Sequence, residues 1–157
     1  DKRHLFGYAG EHEHYVPGDK RLIAQVKGWK INLSVCYDLR FPVWARNAIS
    51  PETGAAAYDV LINVANWPER RSTPWKTLLQ ARAIENQCYV IGVNRVGNDG
   101  HNIYHSGDSS IIDPMGEIIY QKNHDEDIFT YTLQRSRLEE VRKNLPFLKD
   151  ADKFQIF

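Results

Sequence analysis

Only two cysteines occur in the 157 residues, Cys36 and Cys88, too few for a disulfide framework, and both lie in apolar runs typical of a reduced intracellular protein. An excess of charge is also missing. Twenty basic side chains balance twenty acidic ones, and no block of lysine or arginine stands out, which argues against capture of nucleic acid or of an anionic membrane. No apolar run reaches the roughly 18 residues that span a bilayer, and no basic-then-apolar leader opens the chain. These absences point to a cytoplasmic protein whose partner is a small molecule. No repeat, low-complexity tract or linker divides residues 1–157, which read as one domain, of a size that buries roughly two thirds of its unfolded surface. Asp1 opens straight into "DKRHLF", so the chain is expected to begin inside a fold.

What is present is a mixture of strand and helix signals. Arg21 to Val26 and Trp29 to Val35 are short strand-like runs joined by Lys27 and Gly28, a hairpin signal. Phe41 to Ala48 fits a short helix with Pro42 in its first turn. Val60 to Ala65, apolar except for Asn63, reads as a run of the kind buried on both faces. "STPWKTLLQARAIENQ" places Trp75, Leu78, Leu79 and Ala83 at helical spacing, with Ser72 or Thr73 as N-cap candidates. Cys88 to Val96 predicts a strand and Gly97 to Gly100 a turn. "SSIID" and "EIIYQ" flank Asp113-Pro114-Met115-Gly116, a second hairpin; "DIFTYTL" predicts another strand, and Leu138 to Val141 lies in a charged helix. Hairpins beside strand-helix-strand units make the class α/β or layered α+β.

Cys36 ends the second strand and is followed by a turn and the Pro42 helix. A cysteine there is commonly a small core residue. A turn into a helix, however, exposes a side chain, aims backbone N–H groups at an oxyanion and lowers a thiol pKa, an arrangement suited to attack on a carbonyl or nitrile carbon. Cys88 has no such turn and reads as core. "HLFGYAGEHEHY" gathers His4, His12 and His14 with Glu11 and Glu13. On a strand, His12 and His14 would share a face and a metal site would be open to them; a polar loop at a cleft rim is the other reading. Lys2, Tyr37, Trp44 and Trp67 carry no function unaided.

Taken in order, "DKRHLF", "GEHEHY", "PGD", "VCYDLRFPVW", "NVANWP", "QARAIENQCYV" and "HSGDSSIIDPMGE" resemble the nitrilase superfamily of carbon-nitrogen hydrolases, and within it the ω-amidase branch with its bacterial YafV-type amidases. The resemblance implies a four-layer α-β-β-α sandwich and a Glu-Lys-Cys catalytic set that needs no metal or organic cofactor. Cys36 matches the nucleophile and Lys2 the lysine, while Glu11, six residues before Pro17, matches an additional glutamate beside the set. The Tyr37 backbone N–H is expected to join Lys2 in holding an oxyanion. The family's general-base glutamate precedes the lysine, and no residue precedes Asp1, so the chain is expected to be the C-terminal larger portion of a longer protein.

The same resemblance implies hydrolysis of the terminal amide of a short α-keto dicarboxylic acid monoamide, such as 2-oxoglutaramate, by a homodimer. The substrate's carboxylate calls for an arginine, and Arg70 and Arg71 are candidates that also read as an exposed loop pair. Trp67 is a candidate for the pocket wall or the core. Arg40 and Glu85 are assigned to ion pairing that steadies the cysteine turn. Another nitrilase-type specificity (an N-carbamoyl amidase or a nitrilase) and a non-catalytic module are the rival readings.

Overall fold

A computed structural model describes residues 1–154 and Ile156. Strands β1 (Ile23–Val26) and β2 (Trp29–Val35) form the first hairpin. Its two turn residues, Lys27 and Gly28, both adopt left-handed φ values of 46° and 81°, the type I′ geometry that suits a two-residue hairpin loop. From β2 the chain passes through a 3-10 turn, Cys36–Arg40, into the short helix α1 (Pro42–Ala45). The helix expected over Phe41 to Ala48 stops early because Asn47 turns inward. Its side chain donates to the carbonyls of Tyr58 and Asn86, and it is fully buried.

Strand β3 (Val60–Ala65) lies between β2 and β4 (Tyr89–Asn94) and pairs in parallel with both. Its side chains alternate between the two faces, Leu61 in one buried cluster and Val60 in the other, and Asn63 interrupts the apolar run by donating to the Ser34 hydroxyl. Strands β5 (Val96–Asn98), β6 (Tyr104–Ile112) and β7 (Ile118–Asn123) complete a seven-stranded sheet in the order β1-β2-β3-β4-β6-β5, with β7 also on β6. Gly97 and Asn98 belong to β5 rather than to the expected turn; the reversal is made at Asp99, whose carboxylate accepts from the His101 and Ile103 N–H groups.

Helix α2 (Ser72–Asn86) packs on one sheet face. Trp75, Leu79 and Ala83 meet Leu61, Val90 and Ile112 in the main core. The approach is close: a Cβ on Gly92 would lie 2.5 Å from a methyl of Leu79. Ser72 is not the N-cap. A 3-10 turn, Glu69–Arg71, runs straight into the helix, so Ser72 already has helical dihedrals and Arg71 stands at the boundary without a side-chain cap.

The opposite face gathers Val60 and Tyr89 under Leu138 of α3 (Arg135–Asn144). Toward the strand ends that face leaves Leu33, Val64 and Val93 between 42% and 49% exposed. The architecture is mixed α+β, and the described residues supply one sheet with its helices.

Residues 127–133, expected as a strand, pair with no neighbour. The segment is held through side chains instead, with Phe129 stacked on Tyr120 and the Tyr120 hydroxyl donating to Asp127.

Candidate active site

The parallel strands β2, β3 and β4 run in one direction, so the loops that follow them open at the same end of the sheet. This is where open α/β sheets bind ligands. Cys36 stands at the tip of β2 with φ at +48°, a left-handed conformation that costs a side-chain-bearing residue about 1–2 kcal/mol. The surroundings enforce it. Buried Asp38 accepts from the Val35 N–H at 3.2 Å and reaches back to the N-terminal segment, accepting from the His4 N–H at 2.8 Å and its imidazole Nδ1 at 2.9 Å. From the other side, Arg82 of α2, itself buried, donates to the Leu39 carbonyl at 2.6 Å.

That brace departs from the expected one. Glu85 pairs with Arg82 at 2.9 Å, not with Arg40. The Arg40 guanidinium instead lies over the Trp67 ring, 4.9 Å from its centre. Asp38 and Arg82 went unnoticed in the sequence because their partners are remote along the chain; the one available signal was their presence inside otherwise apolar blocks.

Because Asp38 holds the N-terminal segment against the cysteine turn, Lys2 arrives in the same cleft. Its ammonium donates to Glu11 at 2.5 Å, and the same carboxylate oxygen takes the Phe6 N–H at 2.8 Å. Burial pushes the Glu11 carboxyl up, but the Lys2 hydrogen bond, the Phe6 N–H and the charge of Lys2 outweigh it and leave the pKa below 4.5. For Cys36 the balance goes the other way. Burial pushes the thiol above its ordinary value, and the charge of Lys2 and backbone hydrogen bonds at Asn66 and Tyr37 offset it only in part. The lowered thiol pKa expected from a turn N-terminus is therefore not found.

A cleft of about 1280 Å³ is bordered by Lys2, Glu11, Cys36, Tyr37, Trp67, Arg70 and Arg71, together with Arg40, Asn66 and His105. Trp67 serves core and cleft at once: it is 4% exposed, packs against Trp75 at 5.5 Å and donates its indole N–H to the Arg71 carbonyl at 2.6 Å. Arg71 lies over Phe6, and its guanidinium pKa is lowered by burial and by the charges of Arg70 and Arg40.

The histidine-rich stretch borders the cleft through Leu5, Phe6, Tyr8 and Tyr15. His12 sits in a 3-10 turn, Glu11–Glu13, rather than on a strand beside His14, and His4 is stacked on Phe41 at 3.7 Å. Among the described residues no three His, Cys, Asp or Glu side chains are placed to hold a metal ion. Cys88 is wholly buried in the core, where burial pushes its thiol up to about 12. Among the described residues no helix is long and apolar enough to cross a membrane.

Known proteins are similar to this chain in sequence and fold. The sequence pattern of the carbon-nitrogen hydrolase family matches residues 1–143. The chain is 48% identical over 158 residues to the omega-amidase YafV of Escherichia coli K12, covering 100% of this chain and 59% of that protein. It is 37% identical over 152 residues to the 2-oxoglutaramate amidase of Bacillus subtilis, covering 97% of this chain and 56% of that protein. The crystal structure of XC1258 from Xanthomonas campestris, a CN-hydrolase superfamily protein with an arsenic adduct in its active site, superposes with a TM-score of 0.97 at 46% identity, covering 100% of this chain and 60% of that one. The chain thus spans less than two thirds of the length of the relatives it matches. On the family match and these identities, this chain belongs to the carbon-nitrogen hydrolases of the nitrilase superfamily.

Proposed function

We propose that the protein carrying this chain is an ω-amidase, which hydrolyses the terminal amide of a short α-keto dicarboxylic acid monoamide of the 2-oxoglutaramate type. The observation that carries the reading is a cysteine in a left-handed turn bordering the same cleft as an ammonium fixed on a carboxylate. Relatives that are an omega-amidase and a 2-oxoglutaramate amidase, at 48% and 37% identity, support the substrate class.

In the first step the Cys36 sulfur bonds to the amide carbon while its proton passes to a base. Burial keeps the thiol protonated near neutral pH, so the reaction needs that base. The family resemblance assigns it to a glutamate that precedes the lysine. The carbonyl oxygen becomes an oxyanion between the Lys2 ammonium and the Tyr37 N–H, where losing one donor typically costs about 100-fold or more. The carbon-nitrogen bond breaks, the nitrogen leaves as ammonia with the transferred proton, and a thioester remains on Cys36. Water, giving a proton to the same base, adds to the thioester carbon; the carbon-sulfur bond then breaks and releases the acid and the thiol.

Glu11 fixes the direction of Lys2, Trp67 walls the cleft, and Arg70 and Arg71 supply positive charge for the substrate's carboxylate. A cytoplasmic homodimer is part of the same proposal. Ammonia release from 2-oxoglutaramate, measured beside nitriles and N-carbamoyl amino acids, is the test. The keto amide is expected to be turned over fastest, and activity on a nitrile or carbamoyl compound without activity on the keto amide would overturn the substrate assignment.

A further inference from the structure

We infer that His105, on the β5–β6 hairpin, is a specificity-determining residue of the cleft, whose Nε2 accepts a hydrogen bond from a donor, hydroxyl or ammonium, carried on the substrate's carbon chain. The inference rests on the amidase reading and adds 2-hydroxy and 2-amino monoamides to its substrate class.

The hairpin reaches the cleft through a fixed bend. Arg95 alone separates β4 from β5, and across the hairpin Gly97 pairs with His105. On β6 the ladder is interrupted at Gly107 and Asp108, whose φ values of 74° and 54° are both left-handed. Position 107 has no room for a side chain, since a Cβ there would lie 2.9 Å from a Val96 methyl. The Asn94 side chain accepts from the Trp67 N–H at 2.7 Å and donates to the carbonyls of Trp67 and Gly107 at 2.9 and 2.7 Å. The base of the hairpin is thereby tied to the Trp67 loop, and Asp99, Ile103 and His105 border the same cleft as Cys36.

His105 is 2% exposed yet borders the cleft. Its Nδ1 lies 2.9 Å from the Ile103 carbonyl. A carbonyl only accepts, so Nδ1 carries the proton, and in the neutral imidazole Nε2 is then an acceptor. Among the described residues Nε2 has no partner, whereas polar groups on buried side chains are as a rule paired. Asp99, on the same hairpin, accepts the His101 and Ile103 N–H groups with one carboxylate oxygen, and those bonds hold its carboxyl below the ordinary range. The hairpin side of the cleft therefore presents acceptors, whereas Arg40, Arg70 and Arg71 border it with donors. A methylene chain leaves Nε2 unpaired; a hydroxyl or ammonium satisfies it, and the hydrate of a 2-oxo group carries such hydroxyls.

The experiment compares kcat/KM for 2-hydroxysuccinamate and for asparagine with that for succinamate, which has the same chain and carboxylate but no donor at the second carbon. It uses the active protein and its His105→Asn and His105→Gln variants. Asparagine at position 105 is short, able to donate to the Ile103 carbonyl but lacking the outer nitrogen; glutamine is long enough to put an amide oxygen near it. His105→Asn is expected to lower the 2-hydroxysuccinamate-to-succinamate ratio by about 3- to 10-fold and the asparagine-to-succinamate ratio by about 10-fold or more, the ranges for neutral and charged hydrogen bonds. His105→Gln should recover part of each. Ratios within one variant do not depend on how much of it is folded. A fall for one donor alone still supports the assignment and identifies that donor; an equal loss on all three amides, or unchanged ratios, overturns it. Calorimetry with malate and succinate reads the same preference without turnover. A His105-dependent preference for malate in a protein hydrolysing none of the amides would support the role of His105 and refute the amidase reading.

Discussion

Asp38 and His4 are joined twice, through the His4 backbone N–H at 2.8 Å and its imidazole at 2.9 Å, although they lie 34 residues apart. This contact seats the segment carrying Lys2 and Glu11 beside the turn carrying Cys36. Asp38→Ala removes the shared acceptor and leaves the N–H groups of His4 and Val35 without it. It is expected to destabilise the protein by on the order of 3 kcal/mol, measured by urea unfolding. Turnover per folded molecule should also fall, because Lys2 loses its register against the sulfur; normal turnover would show that the cleft assembles without this knot.

Cys36 offers a test of backbone strain apart from chemistry. Cys36→Gly and Cys36→Ala both remove the sulfur, but alanine keeps the penalty of φ +48° and glycine does not. After allowing for glycine's greater freedom in the unfolded chain, Cys36→Gly is expected to be about 0.5–1 kcal/mol more stable than Cys36→Ala. Both should lack amidase turnover. Equal stabilities would mean that the turn relaxes to ordinary dihedrals once the sulfur is gone.

The Glu11 carboxylate gives a pH signature. Its folded pKa is depressed below the ordinary 4.5, so its contribution to stability is present above that value and disappears as the pH falls through the folded pKa. Glu11→Gln should therefore be less stable than the parent at neutral pH, with the gap closing in acid below 4.5. Thermal unfolding across that window reads it directly; a gap that persists unchanged in acid would place the loss in packing instead. Turnover should fall with the same substitution, since Lys2 would lose the anion that directs it.

Gly92→Ala tests the seat of α2. The added methyl would come within 2.5 Å of Leu79 and 2.9 Å of Trp75, and overpacking of a filled core typically costs about 1–3 kcal/mol. A shift of the unfolding midpoint of that order is expected. Since α2 carries Arg82, which braces the cysteine turn, turnover should become more sensitive to temperature as well.

The motifs pointed to Lys2, Glu11, Cys36, Tyr37, Trp67, Arg70 and Arg71, and the fold brings all of these to one cleft because the strand tips share an end of the sheet. The paired runs at β1 and β2 and the apolar run at β3 were legible because periodicity and turn residues are local. What was illegible depends on partners remote in sequence. Asp38 answers to His4, Arg82 to Leu39 and Asn47 to Asn86, contacts that no window of the chain contains. Arg40 was misread for the same reason: which arginine meets Glu85 is decided by helix α2, not by the cysteine motif. Residues 127–133 alternate as a strand should, yet no strand takes them up, and side-chain contacts with Tyr120 hold them instead.

Trp67, sharing its ring between the buried interior and the cleft wall beneath Arg40, gives the molecule a built-in fluorophore. Its emission should respond when a solute displaces water from that wall or draws the guanidinium off the indole. Occupancy could then be followed optically, without a label, in a protein whose nucleophile has been removed and whose chemistry is silent.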